Sequence, residues 1–367
     1  MANLSKTTRN MGIDVLRAIA MFFVICHHIL GQGGLVAHAA VGSGKFYFLS
    51  FLQILCYCAV NIYGITTGYL MCQKHFRLSR LTKLWLTTVF WSVAVSCCFF
   101  IFVPESRTLD ELVSMFLPIL RGRYWFFTAY FIVMLVSPVL NLVISQLSKR
   151  QFHLLFTALF LIFGMIPVLS LGNDVLRISG GHHFSWMIVL YLIGGYLKKF
   201  SFTNVPSIRW LFGYFALAGL HLLFKFIMYT IGLGNWQDLL LTYTSPLILG
   251  QAICLFQFCL QSFANVSSGG VLGKAVAFIT PGVYSVYVIH VHPQVFWSNP
   301  IIGLFRAWDN WNGLQIFGAL LLTVLLVFTV CILLDALRQR LFRITGIDTA
   351  AERISDRIEG TLRTYIY

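Results

Sequence analysis

Long apolar runs cover most of the chain, separated by short polar connections, and the runs have the length of membrane spans, which need about 20 largely apolar residues at about 1.5 Å each. Ten segments qualify, at roughly 13 to 34, 50 to 72, 84 to 104, 124 to 145, 153 to 172, 184 to 197, 210 to 232, 240 to 262, 278 to 297 and 314 to 336. The sixth is short. The pattern predicts an all-α, polytopic integral membrane bundle of about ten transmembrane helices. No internal repeat and no Pro/Gly-rich linker divides it, so we expect one transmembrane domain over 1–337 and a cytoplasmic basic tail over 338–367. The tail sequence RQRLFRITGIDTAAERISDRIEG predicts an amphipathic helix lying on anionic lipid. The stretch from Met1 to Asn10 leads straight into the first run without a small-residue cleavage site, which predicts an uncleaved first helix.

Composition supports the lipid environment. Of 367 residues 58% are hydrophobic and only 10% charged, against about a quarter charged in soluble chains. The formal net charge of +14 would first suggest nucleic acid, but its distribution argues against that partner, because the basic residues follow the alternation of the connections. Eighteen of the 26 Lys and Arg fall on the side of the N-terminus, including Lys6, Arg9, Lys74, Arg77, Arg80, Lys83 and the tail, and six on the other side, with Arg17 and Lys225 inside spans. That asymmetry predicts both termini in the cytoplasm. Nine Cys, nearly all within apolar runs and with no ligand-like quartet, read as buried small hydrophobes, and no metal site is expected.

Charges and imidazoles inside a span are costly and so mark functional candidates facing an interior. The first run, GIDVLRAIAMFFVICHHIL, carries Asp14, Arg17, His27 and His28. On a helix Arg17 and His28 fall within about 20° of each other and roughly 16 Å apart along the axis, while His27 lies about 80° to one side. His28 is therefore the catalytic choice, with Arg17. Asp14 completes the expected catalytic set: it is too far from His28 to orient its ring and is expected to pair with Arg17 at i, i+3. An interfacial ion pair and a packed histidine are the bland readings of the same residues. A cation near the inner surface and a titratable base deeper in suit an anionic head on a long neutral arm, the shape of coenzyme A, and His is the usual general base near neutral pH.

These residues resemble a known family. Asp14-x-x-Arg17, with His28 after ten intervening residues, is similar to the first-helix signature of the bacterial membrane acyltransferase-3 family of O-acyltransferases. Thr67-Gly68-Tyr69-Leu70 resembles its Ser-Gly-Phe/Tyr-Leu stretch, Trp125-Phe126-Phe127 its Trp-Phe-Leu stretch, and Tyr284, Tyr287 and His290 in VYSVYVIH its Ser-Tyr-x-x-Tyr-Leu-x-His segment. Thr67, Val283 and Phe127 depart mildly from that pattern. The resemblance spans 13 to about 335. It implies transfer of an acyl group, usually acetyl, from a cytoplasmic acyl-CoA to a hydroxyl of an envelope glycan or lipid-linked sugar, in the inner membrane of a bacterial cell. The acyl-CoA would be a co-substrate, with no permanently bound cofactor, and His28 and Arg17 the key residues.

Further candidates surround this core. Arg77, Arg80 and Lys83 serve either positive-inside retention or the phosphates of the donor. Arg123, beside Trp125 on the scarcely basic side, suits sugar and phosphate contact or an interfacial anchor. Lys225, one turn from His221, needs a partner or a wet cavity. Arg123, Trp125, Lys225, Tyr287 and His290 make the expected substrate-binding set, and Arg17, Arg77, Arg80 and Lys83 the expected donor-binding set. Gly64 and Gly68 predict close helix approach, with Asn61 hydrogen-bonding across. A transporter or flippase is the rival reading; it calls for intramembrane carboxylates and related halves with broken helices, and neither is apparent.

Overall fold

The computed structural model describes residues 10–202, 204–267, 269–296 and 299–366. Lys6 and Arg9, counted among the loop charges, lie outside the described residues. Every regular element among the described residues is helical. In chain order the main helices are α1 (Met11–Leu30), α2 (Gly44–Met71), α3 (Leu78–Phe102), the short α4 (Leu109–Phe116), α5 (Trp125–Gln146), α6 (Lys149–Leu169), α7 (Phe184–Lys199), α8 (Ser207–Thr230), α9 (Pro246–Ser262), α10 (Val271–His290), α11 (Gly313–Thr345) and α12 (Ile347–Ile366). Eight helices among the described residues are long and apolar enough to cross a membrane; α7 and α9, with 16 and 17 residues, fall short of that length.

All ten predicted segments therefore coincide with helices, but their ends differ. α3 begins at Leu78 and not 84, and α11 runs to Thr345 and not 336. An apolar run marks the part of a helix that suits lipid; Lys and Arg prolong the same helix into the interface without breaking its backbone bonds. Arg338, expected to open the tail, instead turns inward: its Nε donates to Asp335 at 2.6 Å. Asp335 is fully buried and also accepts from Trp91 Nε1, Ser285 Oγ and Gln339 Nε2. A buried carboxylate with this many donors is satisfied and holds α3, α10 and α11 together. The break into the tail comes at Gly346, whose φ of 71° favours glycine. α12 then docks on the first turns of α3 through Lys83–Glu352 (2.6 Å), Thr82–Ser355 (2.9 Å) and the Leu78 amide to Glu359.

Helix starts follow from local sequence. Asn10 caps α1 through Gly12 N at 2.8 Å, Ser43 caps α2, and Ser148 with Gln151 and Asn312 with Gln315 form capping boxes on α6 and α11. α1 is the hub, packed by α2, α9, α10 and α11. The tightest seam joins α2 and α7. A Cβ on Gly68 would sit 2.0 Å from Tyr191 O, and one on Gly194 2.1 Å from Ile65 O. Only backbones without side chains approach so closely. Asn61 closes that seam as expected, donating to Tyr243 O (2.8 Å) and accepting from Trp186 Nε1 (2.9 Å). Six of the nine Cys are buried, but Cys97 and Cys98 are exposed on α3 and Cys254 is half-buried, because an apolar run has an outer as well as an inner face.

Candidate active site

α1 presents Arg17, Met21, Val24, His27 and His28 to a cavity of about 270 Å³. The opposite wall is the second half of α2, with Tyr63, Thr66, Thr67, Leu70 and Met71, and α5, α10 and the loop before α9 close the rest with Trp125, Phe126, Tyr284, Tyr287 and Tyr243. Four stretches singled out far apart in sequence, around Arg17 and His28, Thr67 to Leu70, Trp125 and Phe126, and Tyr284 and Tyr287, thus line one space. The helical repeat brings Arg17 and His28 to the same wall, three turns apart.

At one end Arg17 keeps 30% of its side chain exposed, enough to meet a ligand, while Nη1 lies 3.8 Å from Asp14 Oδ1. The carbonyl of Arg17 accepts from Tyr63 OH at 2.8 Å, which ties α1 to α2 beside the guanidinium. Met71 and Leu84 mark this end of the cavity, and Arg80 Nη1 reaches Met71 Sδ at 3.5 Å.

At the other end a chain of hydrogen bonds orients His28. Its Nδ1 lies 3.1 Å from His290 Nε2, and His290 Nδ1 lies 2.5 Å from Val286 O. A carbonyl only accepts, so His290 carries its proton on Nδ1 and offers a lone pair at Nε2. His28 must then donate from Nδ1, which leaves its Nε2 unprotonated. Phe296 packs against the ring at 4.8 Å between centroids. The arrangement is that of a general base held by a second group, as in nucleophile–base–orienter constellations.

Several expected residues stand elsewhere. His290 does not line the cavity but supports His28 from behind. Arg123, expected to meet substrate, is buried in a separate cluster: it binds Glu111 with Nη2 at 2.5 Å and Nη1 at 3.1 Å, and Nη2 also contacts Ser96 (3.1 Å) and His292 (2.7 Å). Burial pushes the Glu111 carboxyl up, but hydrogen bonds from Arg123 and Ser96 outweigh it and hold it below its usual range. Burial, with Arg123 beside it, drives His292 down to about 3. Lys225 likewise avoids the cavity; it pairs with Asp238 at 2.7 Å and stands over the Phe46 ring at 4.7 Å. The partners decide these cases: a carboxylate from a segment connecting two spans, Glu111 on α4 and Asp238 in the loop before α9, satisfies each buried cation, and no local pattern around the cation reveals it. Lys83 is drawn to Glu352. Trp125 and Tyr287 do line the cavity. So does His27, which the wheel set aside; 80° off axis still reaches a cavity that wraps around α1. Among the described residues no group of His, Cys, Asp and Glu has the arrangement of a metal site.

Comparison with curated proteins and with solved structures returns no match. A family profile described as an acyltransferase domain matches residues 10–336, nearly the whole helical bundle and all of the cavity-lining residues. With that match over most of its length, and the four motif stretches meeting at one cavity, this chain belongs to the acyltransferase-3 family and is a multi-pass membrane acyltransferase.

Proposed function

We propose that the protein moves an acyl group, acetyl in the simplest case, from a cytoplasmic acyl-CoA to a hydroxyl of an envelope glycan or lipid-linked sugar, in the inner membrane of a bacterium with both termini cytoplasmic. The observation that carries this reading is the pairing, on one cavity wall, of a half-buried guanidinium at one end with an imidazole at the other whose Nε2 lone pair is left free. The roughly 16 Å between them along α1 matches a phosphate-bearing head and a long neutral arm ending in a thioester. Arg17 takes the anionic head, with Arg80, which reaches Met71 at the edge of the cavity, and Arg77 as further phosphate partners; Lys83 contributes less, being held by Glu352. Asp14 keeps Arg17 in place. His28 Nε2 accepts the proton of the attacking hydroxyl and returns it to the departing sulfur. Trp125 and Tyr287 give the acceptor aromatic surface.

The test uses the full chain purified in detergent with a labelled acyl thioester and an envelope glycan extract. His28→Ala is expected to lower transfer by about 10²-fold or more with donor binding retained. Arg17→Ala is expected to weaken donor binding first. Transfer by the His28→Ala protein at the wild-type rate would discard the reading.

A further inference from the structure

His27 faces the same cavity as His28, is only 8% exposed, and finds no hydrogen-bonding partner in the protein at either ring nitrogen among the described residues. Leaving a polar group buried and unsatisfied costs about 1–3 kcal/mol. Its neighbours are aromatic: Tyr57 meets the ring edge-on at 4.6 Å, and His28 lies at 5.8 Å between centroids with no hydrogen bond joining the two rings. The two nitrogens differ. Nδ1 is sealed from any solvent and has no acceptor, so placing the proton there would strand an N–H, the rarer and costlier kind of orphan. The proton belongs on Nε2, the nitrogen not sealed off. His27 is thereby a hydrogen-bond donor toward the cavity, whereas His28, its neighbour in sequence, is held by His290 as an acceptor.

We propose that His27 is a second catalytic residue, whose Nε2–H donates to the carbonyl oxygen of the thioester as negative charge gathers there. This rests on the function proposed above. In the step, the acceptor hydroxyl oxygen bonds the carbonyl carbon while its proton passes to His28 Nε2. The carbonyl electron pair moves onto oxygen, where His27 stabilises it. Collapse then restores the carbonyl and breaks the carbon–sulfur bond, and the sulfur leaves with the proton from His28 as a free thiol. Successive helix positions differ by about 100°, so the two rings meet one reacting carbon from different sides, which a base and an oxyanion donor require.

The experiment compares wild type, His27→Phe, His27→Gln, His27→Asn and His28→Ala, as full chains in detergent, with radiolabelled acetyl-coenzyme A and an envelope glycan extract. His27→Phe keeps the ring packing on Tyr57 and removes the donor; kcat is expected to fall by about 10²-fold, with KM for the donor changed by about twofold at most. The amide nitrogen of Gln falls near the position of Nε2 and that of Asn near Nδ1, so His27→Gln should recover at least about tenfold over His27→Phe, and His27→Asn should not. Thermal unfolding checks each variant, and if the Phe protein does not fold, the ranking of Gln against Asn decides. A His27→Phe protein within about threefold of wild type beside an inactive His28→Ala protein would overturn the inference and leave the proposed function standing. So would equal loss in Gln and Asn, or Asn outperforming Gln. Wild-type transfer by His28→Ala would overturn the proposed function itself.

Discussion

On the function proposed above, the chemistry turns on which nitrogen of each imidazole carries a proton, and for His28 that choice is made 262 residues away in sequence, at His290. The Val286 carbonyl decides the His290 tautomer, which in turn decides that of His28. His290→Phe keeps a ring of similar volume but removes the acceptor, so the His28 proton is no longer confined to Nδ1 and the ring is free to turn. We expect kcat to fall by at least about tenfold with KM for the donor little changed, measured by steady-state transfer. A parallel rise in KM would instead place His290 in direct contact with substrate. The position of Arg17 and His28 on one face was legible in the first run of the sequence, because helical periodicity alone fixes it. The support from His290 was not, since it depends on how α10 packs on α1.

Among the elements, the α2–α7 seam positions the cavity wall opposite α1. Thr66 and Leu70 reach the cavity from the side of α2 turned away from Gly64 and Gly68. A side chain at Gly68 would strike the Tyr191 carbonyl, which belongs to the backbone and cannot rotate away. Gly68→Val is therefore expected to separate α2 from α7, costing about 1–3 kcal/mol or more, while Gly219→Ala in α8, where nothing lies within 4 Å, is expected to be neutral or to stabilise by up to about 1 kcal/mol. Thermal unfolding of the two proteins in one detergent checks the contrast, and a Gly68→Val protein as stable as wild type would show that the seam yields. Small residues four apart announced a close contact in the sequence, and the short sixth apolar run marked α7; that these two elements meet each other was left to the packing.

Over the whole molecule, polar clusters fasten the bundle at points away from the cavity, and one of them responds to pH. Glu111 and His292, joined through Arg123, both have folded pKa values below their unfolded ones, His292 at about 3 against about 6.5. Their contribution to stability is complete above about pH 6.5. It declines as the pH falls, through His292 from about 6.5 toward 3 and through Glu111 below its usual carboxylate range. Thermal stability is expected to drop between pH 7 and pH 4, and His292→Asn to flatten that drop; an unchanged slope in the variant would assign the acid sensitivity elsewhere. By itself the sequence determined the membrane environment, the helical class, the order of the apolar helices and the facing of Arg17 with His28, since each follows from composition or from the period of a single helix. Only the tertiary structure decided that Arg123 and Lys225 are satisfied by Glu111 and Asp238, that Arg338 turns back to Asp335, and that His27 shares the cavity with His28. A buried charge or imidazole takes its role from the groups packed around it, and those come from parts of the chain that no local pattern connects.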